Sequence, residues 1–271
     1  MEPRATEPDG ERQHPKITAE LMSVLARVPG LFDQMNAMGR QAPAPGSEAS
    51  RDSARPLGHH VAILATDHLS TGMEHLVAWR NLLVAGSQPY AAHMTLIRGA
   101  MEGAVTCRWL VDPRIDSAER IRRGIALLLD DYGNRRDFER DWGITAVEPP
   151  AKSAADRIAT LRADRDRAKI GHLAVPGPTS LFGAYSGWSP ARGRGAYRLL
   201  SAFAHGQQWK GLILRIDAVG ADVPGGQVVR VSANDELAVA FTAFAVRVAG
   251  SALAELGSYV GRASEGARPD V

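Results

Sequence analysis

Cysteine is nearly missing from this chain: among 271 residues only Cys107 occurs, inside an apolar helix-like segment. A lone thiol closes no disulfide within the chain and builds no cysteine metal cage, which fits a reducing compartment. Cys107 therefore reads as a small buried hydrophobe. Long apolar runs are missing as well. The longest, Leu237 to Val246, is interrupted by Arg247 and stops well short of a membrane span. The stretch Met1-Glu2-Pro3-Arg4-Ala5-Thr6-Glu7 is polar and lacks the apolar core of a signal peptide. The expectation is a soluble cytoplasmic protein with no membrane partner. A charge excess is also absent. Lys+Arg 32 against Asp+Glu 30 leaves a net charge of +2, too balanced to predict a nucleic-acid partner by itself. Lysine is scarce beside arginine and alanine is abundant, a coding bias rather than an RNA-binding signal. No phosphate loop, dinucleotide fingerprint or Gly-x-Ser-x-Gly elbow occurs.

What is present is apolar periodicity. Hydrophobic residues make up 45% of a chain long enough for one large domain or two small ones, so a real core is expected. Residues 1–15 are polar, with Pro3, Pro8 and Pro15, and read as disordered. Ile17, Leu21, Val24, Leu25 and Val28 keep helical spacing until Pro29-Gly30, and 39–57 reads as a flexible linker. The N-terminal region 1–57 is thus expected to be largely disordered with one short helical stretch. Helical patterns follow over 58–86, 90–111, 116–142, 152–170 and 194–209, with a Gly/Pro/Ser-rich loop at 171–192 that has room for one short helix. Leu212, Leu214 and Ile216 alternate with Ile213, Arg215 and Asp217, and Val228–Val231 returns after Gly225-Gly226, which predicts a small hairpin. Asn234 caps a last helix over 235–262. Helices with short loops and one late hairpin predict an all-α bundle over 58–262, with a disordered tail at 263–271.

Two polar insertions interrupt the apolar pattern. Arg198, Ser201 and His205 lie on one helical stripe, since seven residues make two turns. Arg98 and Glu102 lie one turn apart in the central helix, among apolar neighbours. Buried polar groups need partners. The expected pairings across the bundle are Glu102 with His205, and Arg98 with Tyr197 and Ser201. Such a network, satisfied internally, would serve a non-catalytic binding or scaffold module.

Arg98-x-x-x-Glu102, followed far downstream by Tyr197-x-x-Leu200-Ser201-x-x-x-His205, resembles the HEPN superfamily of helical bundles, nearest to uncharacterised, abortive-infection-like bacterial branches. The resemblance covers roughly residues 58–262 in helix order. It implies an up-down helical bundle with the hairpin as a small C-terminal insertion, and a role in defence or stress. Many HEPN proteins are metal-independent endoribonucleases using an Arg-x(4–6)-His motif at a dimer interface, a spacing that Arg198 and His205 satisfy. The resemblance implies His205 as acid/base, Arg198 stabilising phosphate charge, Tyr197 and Ser201 orienting the phosphate, RNA as substrate, a homodimer, and no cofactor. One position departs from the pattern: after the motif arginine, where active members often carry a polar residue, this chain has Leu199.

A further reading starts from Asp130-Asp131-Tyr132-Gly133-Asn134. Paired aspartates followed by an amide can hold Mg²⁺ against a diphosphate, as terpene synthases do on an Asp-rich helix. Such enzymes need a second motif. The nearest stretch here, Arg247-x-x-x-Ser251-x-x-x-Glu255, has an arginine where a ligand is required. An exposed acidic patch offset by Arg135 and Arg136 is the plainer account. His59, His60, His68 and His75 do not fall in a Glu-x-x-His or His-Glu-x-x-His pattern.

Overall fold

Capping chemistry fixes where the main helices begin. The computed structural model describes residues 14–87, 89, 91–144, 152–223, 226–232 and 234–262. The disorder expected for residues 1–13 and 263–271 lies outside them. The helices are α1 (His14–Leu25), α2 (Val28–Gly39), α3 (Glu48–Ser53), α4 (His59–Val84), α5 (Ala92–Leu110), α6 (Ser117–Asp141), α7 (Ala154–Arg167), α8 (Pro178–Tyr185), α9 (Pro190–Ala204) and α10 (Asp235–Tyr259). Asp116, Ser153 and Asn234 each accept a hydrogen bond from the backbone N–H three residues on, at the starts of α6, α7 and α10. Between α9 and α10 lie a 3-10 helix, Gln208–Ile213, and two antiparallel strands, β1 (Arg215–Val223) and β2 (Gly226–Ser232), with an irregularity between Ala218 and Asp222.

The architecture is an α-helical bundle, and its tightest seam joins α4 to α5. A Cβ on Gly103 would meet the His68 carbonyl oxygen at 2.2 Å and the Gly72 Cα at 2.9 Å. Only glycine lets the two backbones approach so closely. Trp79 of α4 is fully buried, stacks on His93 of α5, and donates from Nε1 to Thr242 Oγ1 of α10 at 3.0 Å. Helix α10 packs along α5, α1 and α4. Where the sequence reading ended the apolar run at Arg247, the whole helix is long and apolar enough to cross a membrane by length and composition. Arg247 points outward, and 56% of the most apolar window is buried inside the bundle, which accounts for its composition.

The structure corrects the boundary expected at residue 58 and the linker expected over 39–57. Leu21, Leu25, Val28 and Met35 of α1 and α2 enter the common core, and α3 occupies the supposed linker. Helix α3 has no apolar stripe to announce it. A buried ion pair holds it instead: Arg120 of α6 donates from Nε to Asp52 Oδ2 at 2.7 Å, and Tyr259 donates to the same oxygen at 2.9 Å. Asp52 is wholly inaccessible. Glu48 adds a second carboxylate to Arg120, so each charge has a partner.

Helix α9 ends five residues earlier than the pattern predicts. Gly206 adopts φ +65°, Gln207 N–H bonds the Ala202 carbonyl at 2.9 Å, and Gly206 N–H bonds that of Phe203 at 3.3 Å. This is a left-handed C-terminal cap, and it leaves His205 as the last residue of the turn. The short helix for which the loop of 171–192 has room is α8, which packs on α9.

Candidate arginine–histidine site

The end of α9 and the middle of α5 bring Arg98, Glu102, Tyr197 and His205 together. Arg98 sits between its three partners. Its Nε donates to Glu102 Oε1 at 2.9 Å, Nη2 to the Tyr197 hydroxyl at 3.2 Å, and Nη1 lies 3.3 Å from His205 Nε2. The guanidinium also stands 5.3 Å from the Tyr197 ring centroid. An arginine N–H can only donate, so a hydrogen bond here makes His205 Nε2 the acceptor. Burial opposes charge on Arg98, but the Glu102 carboxylate outweighs it and raises its pKa above the ordinary value. Burial, then the Glu102 charge, pushes the Tyr197 phenol up, so it stays protonated. The result is a fixed cation against an imidazole at a solvent-exposed position.

The expected Arg98–Tyr197 pairing is present. His205, however, meets Arg98 and not Glu102, which is drawn to Arg98 Nε within its own helix. Arg198 stands apart from this group. It is exposed and makes no hydrogen bond or ion pair among the described residues, and half-buried Ser201 has no side-chain hydrogen bond there either. Two turns of helix separate Arg198 from His205 by about 10 Å along the axis, so they share a face without touching. The arginine in contact with His205 is Arg98.

Asp130, Asp131 and Asn134 are exposed on α6 and do not face into the bundle. Burial, offset in part by His68, raises the Asp131 pKa, and its neighbours Asp130 and Asp67 add to that. Glu255, the carboxylate that a second Mg²⁺ motif would need, takes Arg108 on both oxygens at 3.0 Å from Nε. These residues do not fit a Mg²⁺–diphosphate site. Among the described residues no three His, Cys, Asp or Glu side chains are grouped to hold a metal ion. His75 covers Gly99 across the α4–α5 seam, and His68 faces Asp131.

One feature escaped the composition reading. Residues 167–216 contain no aspartate or glutamate, yet carry Arg167, Lys169, Arg192, Arg194, Arg198, Lys210 and Arg215. Arg192, Arg194 and Arg198 are exposed on α9 without a hydrogen bond or ion pair among the described residues. Beyond the cap, a Cβ on Gly206 would lie 3.9 Å from Lys210 Nζ, so this ammonium stands over the residue that follows His205. Trp209 is 44% exposed, its Nε1 donating to Gln207 Oε1 at 2.8 Å. Averaging charge over the chain hides this cationic flank; a sliding count of acids reveals it.

Fold and site together define a helical-bundle protein in which an exposed histidine at the end of a cationic helix meets a half-buried arginine of α5. Set against models of known protein families, curated proteins and solved structures, the chain matches none of them.

Proposed function

We propose that this chain is a HEPN-like RNA-binding protein of a defence or stress response that cleaves RNA without a metal, using His205 as acid/base. The observation carrying this reading is the exposed His205 imidazole held 3.3 Å from the Arg98 guanidinium, beside a helix whose arginines have no acidic partner among the described residues. In the reaction, His205 Nε2 exchanges its contact with Arg98 for a ribose 2′-hydroxyl and takes its proton as that oxygen attacks the adjacent phosphorus. The 5′-oxygen leaves and takes up a proton from solvent water, giving a 2′,3′-cyclic phosphate and a 5′-hydroxyl. Arg98 turns its free N–H groups to the phosphate as charge builds, and Arg198 and Lys210 hold the neighbouring backbone. The defence setting and a two-fold pairing of copies come from the resemblance alone.

The second reading is a non-catalytic binding module. It is favoured by the way Glu102, Tyr197 and His205 satisfy Arg98 on each of its nitrogens. RNA cleavage by purified protein in EDTA, compared with His205→Ala after both are checked for folding, separates the two. The nuclease reading expects a loss of about 10²–10⁴-fold in rate. A wild type that cleaves nothing, together with a variant of lower melting temperature, assigns the cluster to structure.

A further inference from the structure

We infer that the hollow beside α9 receives an unpaired nucleobase, which makes single-stranded RNA the ligand of this surface. The inference rests on the RNA reading of His205 and deepens it. The hollow has a volume of about 350 Å³ and is lined by Trp188, Arg192, Gly195, Ala196, Leu199 and Phe241. Its aromatic wall is held in place. Trp188 lies flat on Phe244, with ring centroids 3.3 Å apart and planes 5° apart, and meets Phe241 edge-on at 6.2 Å. Arg247 covers the same aromatic stack, 5.4 Å from the Phe244 centroid.

Gly195 supplies a second observation. A glycine inside a helix lowers its stability and is kept for close packing or for a positive φ. Neither applies here: Gly195 is helical, and a Cβ there would meet nothing within 4 Å. What the missing side chain does is leave the hollow open. Charge identifies the occupant. Arg192 stands at the rim, and Arg198, two turns nearer His205 and about 120° round the helix from Arg192, is exposed without an acidic partner among the described residues; Arg194 packs over Gly183 of α8, away from the hollow. From Arg192 to Arg198 is about 9 Å along the axis, longer than one phosphate group, so a backbone suits it better than a mononucleotide. An apolar, aromatic-walled hollow beside a cationic track is the arrangement that stacks bases without demanding a sequence. Duplex RNA keeps its bases inside, so the hollow selects single strands.

The test is fluorescence anisotropy of the full chain with a labelled 2′-O-methyl oligoribonucleotide about twelve nucleotides long, which 2′-hydroxyl attack cannot cleave. It is presented single-stranded and as a duplex, with Gly195→Leu as the blocking variant. Gly133→Leu on α6, another glycine with open space at its Cβ, is the control. The expected result is preference for the single strand, about tenfold weaker binding by Gly195→Leu, and no change in the control. Because leucine is the better helix former, the melting temperature of Gly195→Leu should not fall. Equal binding by Gly195→Leu and wild type overturns the hollow, as does equal affinity for duplex. If the wild type still cleaves RNA in EDTA, the His205 reading survives that failure. A wild type that binds neither probe and cleaves nothing ends both.

Discussion

The arginines of α6 and those of α9 are the same residue in opposite electrostatic circumstances. On α6, Arg120 reaches Asp52 and Glu48, Arg122 and Arg123 share Glu119, Arg135 takes Glu139, and Arg140 takes Asp137 and Asp141. On α9, Arg192, Arg194 and Arg198 face solvent with no such partner among the described residues. A net charge of +2 therefore describes neither region. One flank pairs its charges within the chain, and through Arg120, Arg135 and Glu139 these pairs order α3 and α7 against α6. The other leaves its charge available to an outside anion. Net charge tells little about partners when acids and bases are segregated along the chain.

The strongest way to break this comparison is to remove a partner on the ordered flank. Asp52→Ala takes the fully buried carboxylate from the Arg120 guanidinium, leaving it only the half-exposed Glu48 as a charged partner, and takes the acceptor from Tyr259. The expected loss is about 3–5 kcal/mol of unfolding free energy, measured by urea denaturation. A loss under about 1 kcal/mol would mean that α3 docks by contact alone and that the pairing on α6 is incidental.

A smaller effect tests the same flank through pH. Burial works to raise the Asp112 pKa, but hydrogen bonds from the Arg114 side chain and backbone, and from Tyr185, hold it down to about 2, against an ordinary 3.8. A depressed carboxylate stabilises the fold above its unfolded pKa, and that stabilisation fades as pH falls from about 4 towards 2. Asp112→Asn should flatten the stability profile in that window while changing little at pH 7 in relative slope. The effect should stay below that of Asp52, since the Arg114 side chain is 72% exposed and screened by water. Identical acid-unfolding profiles for the two proteins would show that Asp112 gains nothing from these bonds.

How legible these regions are in the sequence depends on what holds them. The 3.6-residue spacing of Leu200 and Phe203 marks α9, and Asn234 marks the start of α10, because apolar period and capping are local. Helix α3 is silent: Glu-Ala-Ser-Arg-Asp-Ser has no apolar period, and its anchor, Arg120, lies 68 residues from Asp52. At the site, sequence spacing brings Arg98 to Tyr197 but misdirects His205 to Glu102. Spacing on one helix says which side chains share a face; it does not say which rotamer wins a partner across the bundle. The heptad from Arg198 to His205 is real as a face, but the cap at Gly206 ends the helix there, and the arginine that touches His205 comes from another helix. The acid-free stretch was open to reading and was lost by averaging.

The smallest expected effect sharpens the comparison most, because it asks for almost no change in one quantity and a definite change in another. Arg198→Gln removes an exposed guanidinium with no internal partner among the described residues, so unfolding free energy should move by less than about 0.5 kcal/mol. If Arg198 holds an RNA phosphate, the same substitution removes one counterion-releasing contact. The slope of log affinity against log salt for single-stranded RNA should then fall by about 0.7. A shift in stability above about 1 kcal/mol would show that Arg198 is engaged inside the protein after all, which puts α9 on the same footing as α6. An unchanged slope would remove Arg198 from the RNA path while leaving Arg192 and Lys210 to be tested the same way.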